Sequence, residues 1–235
     1  MIRLAVFDMA GTTVNEDNLV YRAVREAINE RGYDFTLNEV LAEGAGKEKL
    51  QAIRSVLALR NIKDDTLSEE IFARFLVLLD GCYNAQPITE QANATNVFHA
   101  LRQRGIKVVM NTGYNRTTAQ LLIRKIGWEL GRDYDGLVTA SDVKENRPQP
   151  DMIFLAMKQL GIVDGQQVLK VGDSIIDIEE GRNAGCRFSI GITTGAHTYA
   201  QLQSARPDYI FNDLAELLPV IDEVNAYDFV PTQPV

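Results

Sequence analysis

A largely apolar run from Ile2 to Phe7 ends abruptly in a carboxylate, Asp8, and is followed by Met9-Ala10-Gly11-Thr12-Thr13-Val14. A short run of this kind bounded by a turn signal predicts a buried strand. Asp8 then falls where open α/β sheets place their ligands, just past the carboxyl end of a strand. A carboxylate there can act as nucleophile or metal ligand. Small residues such as Gly11 and Thr12 can bring backbone N–H groups up to phosphate oxygens. An Asp before Gly is equally at home in a plain turn, so the meaning of this one rests on the rest of the chain.

From about Ala94 onward, strands and helices alternate. Val97 and Leu101, with Gly105 as a stop, predict a helix before a strand from Ile106 to Met110. Leu121, Leu122 and Ile126 mark the next helix, ahead of a strand from Gly136 to Ala140. A helix over Met152 to Leu160, a strand at Val168, a helix ending at Gly185 and a strand from Phe188 to Ile192 follow. Such alternation predicts an α/β fold with a doubly wound parallel sheet covered on both faces. Between Glu16 and Ala85 the pattern is helical only. Leu19, Val20, Ala23, Val24, Ala27 and Ile28 form one stripe, and Thr36-Leu37-Asn38-Glu39 has the form of a capping box. The organisation expected is therefore a core of residues 1–15 and 86–224, an inserted helical cap of 16–85, and an aperiodic tail of 225–235.

The chain has 235 residues, 46% of them hydrophobic, enough for one good core and a smaller satellite. A net charge of −8 argues against a nucleic-acid partner, which needs a basic face. It leaves a small anionic substrate open, because the local field decides there. Cys82 and Cys186 sit far apart in unlike contexts, which points to free thiols and a reducing compartment. The first apolar run is broken by Asp8 too early for a signal peptide, and no stretch reaches membrane-span length. A cytoplasmic protein with no membrane partner is the expectation. A homodimer formed through the cap stays open.

Three further motifs follow in order. Val108-Val109-Met110-Asn111 lead into Thr112-Gly113-Tyr114, Asn146-Arg147-Pro148-Gln149-Pro150 precedes a helix, and Gly172-Asp173-Ser174-Ile175-Ile176-Asp177 closes the strand of Val168 to Val171. Together with Asp8, this set resembles the haloacid dehalogenase superfamily over nearly the whole chain. Ala10, Tyr114, Arg147 and the run Glu180-Gly181-Arg182-Asn183-Ala184-Gly185 make it most similar to the phosphonoacetaldehyde hydrolase, or phosphonatase, subfamily.

That resemblance implies a hydrolase working through an aspartyl-phosphate on Asp8. It implies Mg²⁺ held by Asp8, the backbone carbonyl of Ala10 and Asp173, with Asp177 completing the shell through water. Octahedral Mg²⁺ suits a site of few carboxylates and several waters. Arg147 takes the charge-neutralising position, where a planar, permanently charged fork suits a group with several oxygens, and Lys144 nearby could contest it. Gly11, Thr12, Thr112, Gly113 and Tyr114 fall where substrate oxygens would be bound. Asp177 as an ordinary first-turn acid and Thr112 as a turn residue remain open.

Ala10 is the discriminating departure. Phosphatases of the superfamily carry there an Asp that protonates the leaving alkoxide, a contribution of about 10²–10⁴-fold. A carbon leaving group has no alkoxide to protonate. Phosphonatase instead uses a cap lysine as a Schiff base, whose iminium accepts the electron pair of the breaking C–P bond. In the loop Glu43-Gly44-Ala45-Gly46-Lys47-Glu48-Lys49-Leu50, Lys49 aligns with that lysine and Lys47 is the alternative, with Gly46 on the substrate side. A cation in a first helical turn opposes the macrodipole, which favours its neutral, nucleophilic form. The chain departs from the subfamily at Met9, Ala45 and Ala52, where Trp, Met and His are found. A phosphatase or phosphomutase with Lys49 gripping a distal anion, and a phosphate-binding protein without turnover, are the rival readings. His99 and His197 carry no assigned role.

Overall fold

The structure is a computed structural model, and it describes residues 1–227. Its centre is a six-stranded, wholly parallel sheet of β1 (Leu4–Phe7), β4 (Lys107–Thr112), β5 (Gly136–Thr139), β6 (Val168–Gly172), β7 (Phe188–Ile192) and β8 (Tyr209–Phe211). The order is β5-β4-β1-β6-β7-β8, so β1 lies in the middle with β4 and β6 beside it. Register pairs Phe7 with Met110 on one side and Val171 on the other. The residues just past these three positions carry Asp8, Asn111 and Asp173 to one end of the sheet. Strand order reverses here, and such a switch point opens a crevice.

Residues of β1 alternate between the two faces. Ala5 and Phe7 join the core under α5 (Ala94–Gln103) and α10 (Leu217–Tyr227), while Leu4 and Val6 pack with Met152, Ile153 and Ala156 of α7 (Asp151–Gln159). The rings of Phe7 and Phe98 lie 5.2 Å apart, and Phe98 is 5.2 Å from Trp128. Full burial of a side chain such as Phe7 stabilises by about 1.5–3 kcal/mol. Two more helices complete the layers, α6 (Arg116–Ile126) and α8 (Ile175–Asn183), with the short α9 (Tyr199–Ser204) before β8.

The cap comprises α1 (Leu19–Asn29), α2 (Leu37–Gly44), α3 (Lys49–Ala58) and α4 (Asp65–Ala85). The apolar stripe of α1 buries Val20, Val24, Ala27 and Ile28 in the same cluster as Ile71, Phe75 and Leu79 of α4. The capping box at Thr36 is present, with Glu39 bonded back to the Thr36 backbone. The chain leaves the core through β2 (Val14–Asn15) and returns through β3 (Thr89–Glu90). These two strands pair antiparallel, Val14 with Glu90 and Asn15 with Thr89, so both connections run as one ribbon.

The tail expectation needs correction. Residues 225–227 belong to α10, and Asn225 Oδ1 accepts a 2.8 Å hydrogen bond from the Ile2 N–H. Pro219 sits in the first turn of that helix, where a missing N–H costs nothing, so it opens the helix rather than breaking it. Residues 228–235 of the expected tail lie outside the described residues. Both cysteines are free thiols. No helix among the described residues is long and apolar enough to cross a membrane.

Cap and core meet at glycines. A Cβ on Gly113 would stand 2.6 Å from the Lys47 carbonyl oxygen, and one on Gly46 would collide with Ile176 and Ser174. Gly113 has no left-handed backbone to strain, so Gly113→Ala should act on this contact alone. Amide exchange across residues 44–50 should rise while the global unfolding midpoint moves little. Exchange there equal to wild type would show that the cap loop does not depend on this approach.

Candidate active site

Asp8, Asn111 and Asp173 reach the crevice as strand-end residues, while Arg147 enters from the loop before α7. Arg147 is fully buried. Its Nη1 lies 2.7 Å from Asp8 Oδ1 and 2.9 Å from Asp177 Oδ1, and its Nε lies 3.0 Å from Glu180 Oε2. Its Nη2 donates to both the backbone carbonyl and Oδ1 of Asn111 at 2.8 and 2.7 Å. Nη1 and Nη2 both donate hydrogen bonds while Nε faces Glu180 without a well-formed one, a planar spread of contacts that a lysine could not reproduce. Lys144, the other cation of that loop, is exposed.

A second buried cation completes the cluster. Lys170, in the middle of β6, lies 2.9 Å from Asp177 Oδ1 and 3.3 Å from Glu180 Oε2, and donates to Asn111 Oδ1 at 2.6 Å. Asn111 Nδ2 in turn donates to both Glu180 oxygens. The sequence placed Lys170, Glu180 and Asn111 inside motifs without giving them roles. A lysine within the otherwise apolar Val168-Leu169-Lys170-Val171 was the available signal, since a charge on a buried strand needs a partner.

Asp8, Asp173 and Asp177 bring carboxylate oxygens within 4.8 Å of one another. Burial, then the neighbouring Asp8 and Asp177 charges, push Asp173 well above the usual carboxylate range. Its oxygens meet the Thr12 hydroxyl at 3.4 Å and the Ala196 N–H at 2.6 Å. Asp8 is also raised, by burial that Arg147 only partly offsets. Burial opposes the charge of Asp177 too, but Arg147 and Lys170 outweigh it and hold that group below its ordinary value. Asp177 Oδ1 accepts no well-formed hydrogen bond despite its two cations. Asp8 and Asp173, crowded together with their charge disfavoured by burial, are oxygen donors that fit a hard divalent cation such as Mg²⁺. Asp8 and Asp173 would hold it with the Ala10 carbonyl, and the already neutralised Asp177 would stand one step behind.

The turn after Asp8, expected to offer its amides to phosphate oxygens, differs in part from that expectation. The N–H groups of Gly11, Thr12 and Thr13 are all spent inside the turn, on Val14, Met9 and Met9 carbonyls respectively. The turn has to close on Val14 to start β2, and it consumes those donors to do so. Among the described residues, the amides of Met9 and Ala10 remain open beside Asp8. Thr112 Oγ1 accepts from the Tyr114 N–H at 3.2 Å, which leaves its hydroxyl proton available.

On the cap side, Gly46 meets the core directly. Its carbonyl accepts from Arg147 Nη1 at 3.3 Å and its N–H donates to the Tyr21 hydroxyl at 3.0 Å. Lys49 is the first residue of α3, whose exposed amides at Leu50 and Gln51 are capped by Glu48. Its Nζ donates to the Lys47 carbonyl at 2.7 Å and lies 5.2 and 5.3 Å from the Tyr21 and Tyr114 ring centroids. No carboxylate forms an ion pair with it among the described residues. Burial therefore lowers its pKa, and the strongest opposing charge is that of Asp8. Lys47 turns away, its Nζ bonded to Ser55 Oγ at 3.0 Å. Lys49, Gly113 and Tyr114 line a cavity of about 290 Å³ that runs to Phe72, Phe75 and Leu79 of α4.

Residues 2–185 match the sequence profile of the haloacid dehalogenase-like hydrolases. The chain belongs to the haloacid dehalogenase-like hydrolase family. It is 30% identical over 211 residues to a phosphonoacetaldehyde hydrolase of Bacillus cereus (strain B4264), covering 83% of this chain and 77% of that one. A phosphonoacetaldehyde hydrolase-like protein from Oleispira antarctica shares the fold with a TM-score of 0.83 at 23% identity, over 99% of this chain and 96% of the other. So does a protein from Haemophilus somnus described as a predicted phosphoglycolate phosphatase, with a TM-score of 0.76 at 20% identity over 94% and 98% of the two chains.

Removing one partner of a buried ion pair strands the others, at a cost of about 3–5 kcal/mol. Lys170→Met should destabilise the hydrolase by that amount in denaturant unfolding. Lys107→Met, which breaks the half-exposed pair with Asp135, should cost no more than about 1 kcal/mol. Similar losses from both would mean that the buried cluster is not cooperative.

Proposed function

We propose that this hydrolase cleaves the C–P bond of phosphonoacetaldehyde, or of a closely related carbonyl phosphonate, through an aspartyl-phosphate on Asp8 and an imine on Lys49. The observation that carries the reading is Lys49 itself. It is a buried lysine with a carbonyl and two aromatic rings for company, and its charge is disfavoured by burial and felt most strongly by the core carboxylate Asp8. A lysine kept only to grip a distal anion would be expected to keep its full charge. One desolvated in this way is suited to attack a carbonyl.

The roles of the other residues follow from where they stand. Arg147 holds Asp8 in place and offers fixed positive charge as phosphoryl oxygens arrive beside it. Amides at Met9 and Ala10 and the Thr112 hydroxyl can orient those oxygens. Mg²⁺, when bound by Asp8, Asp173 and the Ala10 carbonyl, would supply positive charge that lets an anionic phosphonate approach a carboxylate. Lys49 adds to the aldehyde and, as the iminium, takes the electron pair of the C–P bond while phosphorus passes to Asp8. The departing fragment remains an enamine on Lys49, to be released by hydrolysis. Ala10 agrees with this scheme, because carbon leaves without needing the acid that an alkoxide requires. Gly46 and Gly113 let the cap loop approach the core closely beside the site.

Borohydride should trap phosphonoacetaldehyde on Lys49, visible as a mass increase on the peptide carrying that residue. Lys49→Arg keeps charge but cannot form the imine, so C–P cleavage should be lost altogether. Ala10→Asp should not speed C–P cleavage. Absence of an adduct, together with full activity in Lys49→Arg, would overturn the proposal in favour of a phosphate-ester hydrolase.

A further inference from the structure

The scheme above leaves a buried acid of the cap unused. Glu16, at the start of the cap immediately after β2, is 4% exposed. Its Oε2 accepts from the Val20 N–H at 2.8 Å and from the Tyr83 hydroxyl at 3.1 Å. The Tyr83 hydroxyl is also 2.7 Å from that of Tyr114, and Tyr83 and Tyr114 are themselves buried. Three side chains from three separate elements thus form one hydrogen-bonded line from the cap hinge to the Tyr114 ring beside Lys49. Tyr114 and Lys49 share the cavity wall.

The chemistry of the line fixes its direction. An ionised carboxylate only accepts, so Tyr83 donates to Glu16 and Tyr114 donates to Tyr83. The Tyr114 oxygen then keeps its remaining lone pairs, and Tyr114 is the member of the line that also lines the cavity, its ring centroid 5.3 Å from Lys49 Nζ. If a proton reaches Tyr114, each hydroxyl passes its own proton along, and Glu16 ends as the neutral acid with the line reversed. In that reversed state Tyr114 donates outward. The arrangement stores one proton and returns it without any group moving.

Imine formation needs such a store. The Lys49 ammonium must lose a proton before its nitrogen can add to a carbonyl carbon. The resulting carbinolamine must gain one on its hydroxyl before the C–O bond breaks and water leaves. The balance is R–NH₃⁺ plus carbonyl giving iminium plus water, with no net proton consumed. We propose that Glu16, acting through Tyr83 and Tyr114, holds the proton that Lys49 gives up and returns it to the hydroxyl that leaves as water. The proposal rests on the imine reading of Lys49.

Surroundings of Glu16 suit this use. Burial pushes it up to about 7, opposed by the Val20 and Tyr83 hydrogen bonds and by the charge of Lys49. The groups facing it are its neighbour Asp17, Tyr21 on α1, Lys49 on α3, Tyr83 on α4 and Tyr114 after β4. Burial raises all three phenols well above their ordinary range, so they remain protonated and can only relay.

The test follows the rate of imine formation by quenching wild type, Glu16→Gln and Tyr83→Phe with borohydride at timed intervals after adding phosphonoacetaldehyde, between pH 6 and 9. Glu16→Gln removes the store and Tyr83→Phe cuts the line while leaving the Glu16 carboxyl group in place. Both should slow adduct formation by about 10²-fold and reach the wild-type endpoint, since a relay alters rate and not equilibrium. Wild type should show a rise in rate through pH 7 that Glu16→Gln lacks. Wild-type rates in Tyr83→Phe would overturn the relay and leave Glu16 a purely electrostatic neighbour. A pH profile unchanged in Glu16→Gln would overturn it as well. Failure of wild type itself to form the adduct is a separate outcome, and it would remove the imine reading and this proposal with it.

Discussion

The buried charge cluster around Arg147 is the constraint on which the rest of this molecule depends. Two cations, Arg147 and Lys170, and three carboxylates, Asp8, Asp177 and Glu180, share a space closed to water, with Asn111 bridging them. Such a cluster is tolerable only when every charge has a partner. The residues that meet this requirement come from the end of β1, from β4, β6 and α8, and from the loop before α7, which the order β4-β1-β6 sets side by side. Asp173 stands outside the neutralised set. Burial and the charges of Asp8 and Asp177 raise its pKa, and among the described residues it forms no ion pair.

The cap answers with a cation of the opposite kind. Among the described residues Lys49 is desolvated and pairs with no carboxylate, where Arg147 faces three. One positive charge is permanent and serves as scaffold. The other is disfavoured by burial. Bringing them together depends on backbone contacts at Gly46 and Gly113, which let the cap loop come closer to the sheet than any side chain would allow.

Much of this was legible in the sequence. The α/β alternation from Ala94 and the helical stretch before it translate directly into elements, because apolar period and turn residues are local signals. Strand-end motifs placed Asp8, Asn111, Thr112 and Asp173 at one end of the sheet for the same reason. What stayed hidden depends on contacts far apart in the chain. Glu16 meets Tyr83 over 67 residues and Lys170 meets Asn111 over 59, and no local pattern announces either. The β2–β3 ribbon was missed because each strand has only two residues, too few to show a period. The start of the expected tail was placed at residue 225 on composition alone, whereas the last turn of α10 runs on to Tyr227. Even the amides of Gly11 to Thr13, correctly placed beside Asp8, proved to be spent on closing their own turn.

The central claim is that the cap presents Lys49 to the core as a lysine whose charge is readily lost. Titration of ¹³Cε-labelled lysines by NMR measures this directly, with Lys49→Arg identifying its resonance. The account predicts that Lys49 loses its proton at lower pH than the exposed lysines of the same chain, because burial disfavours its charge more than Asp8 supports it. A Lys49 that titrates together with the exposed lysines, or above them, would contradict it.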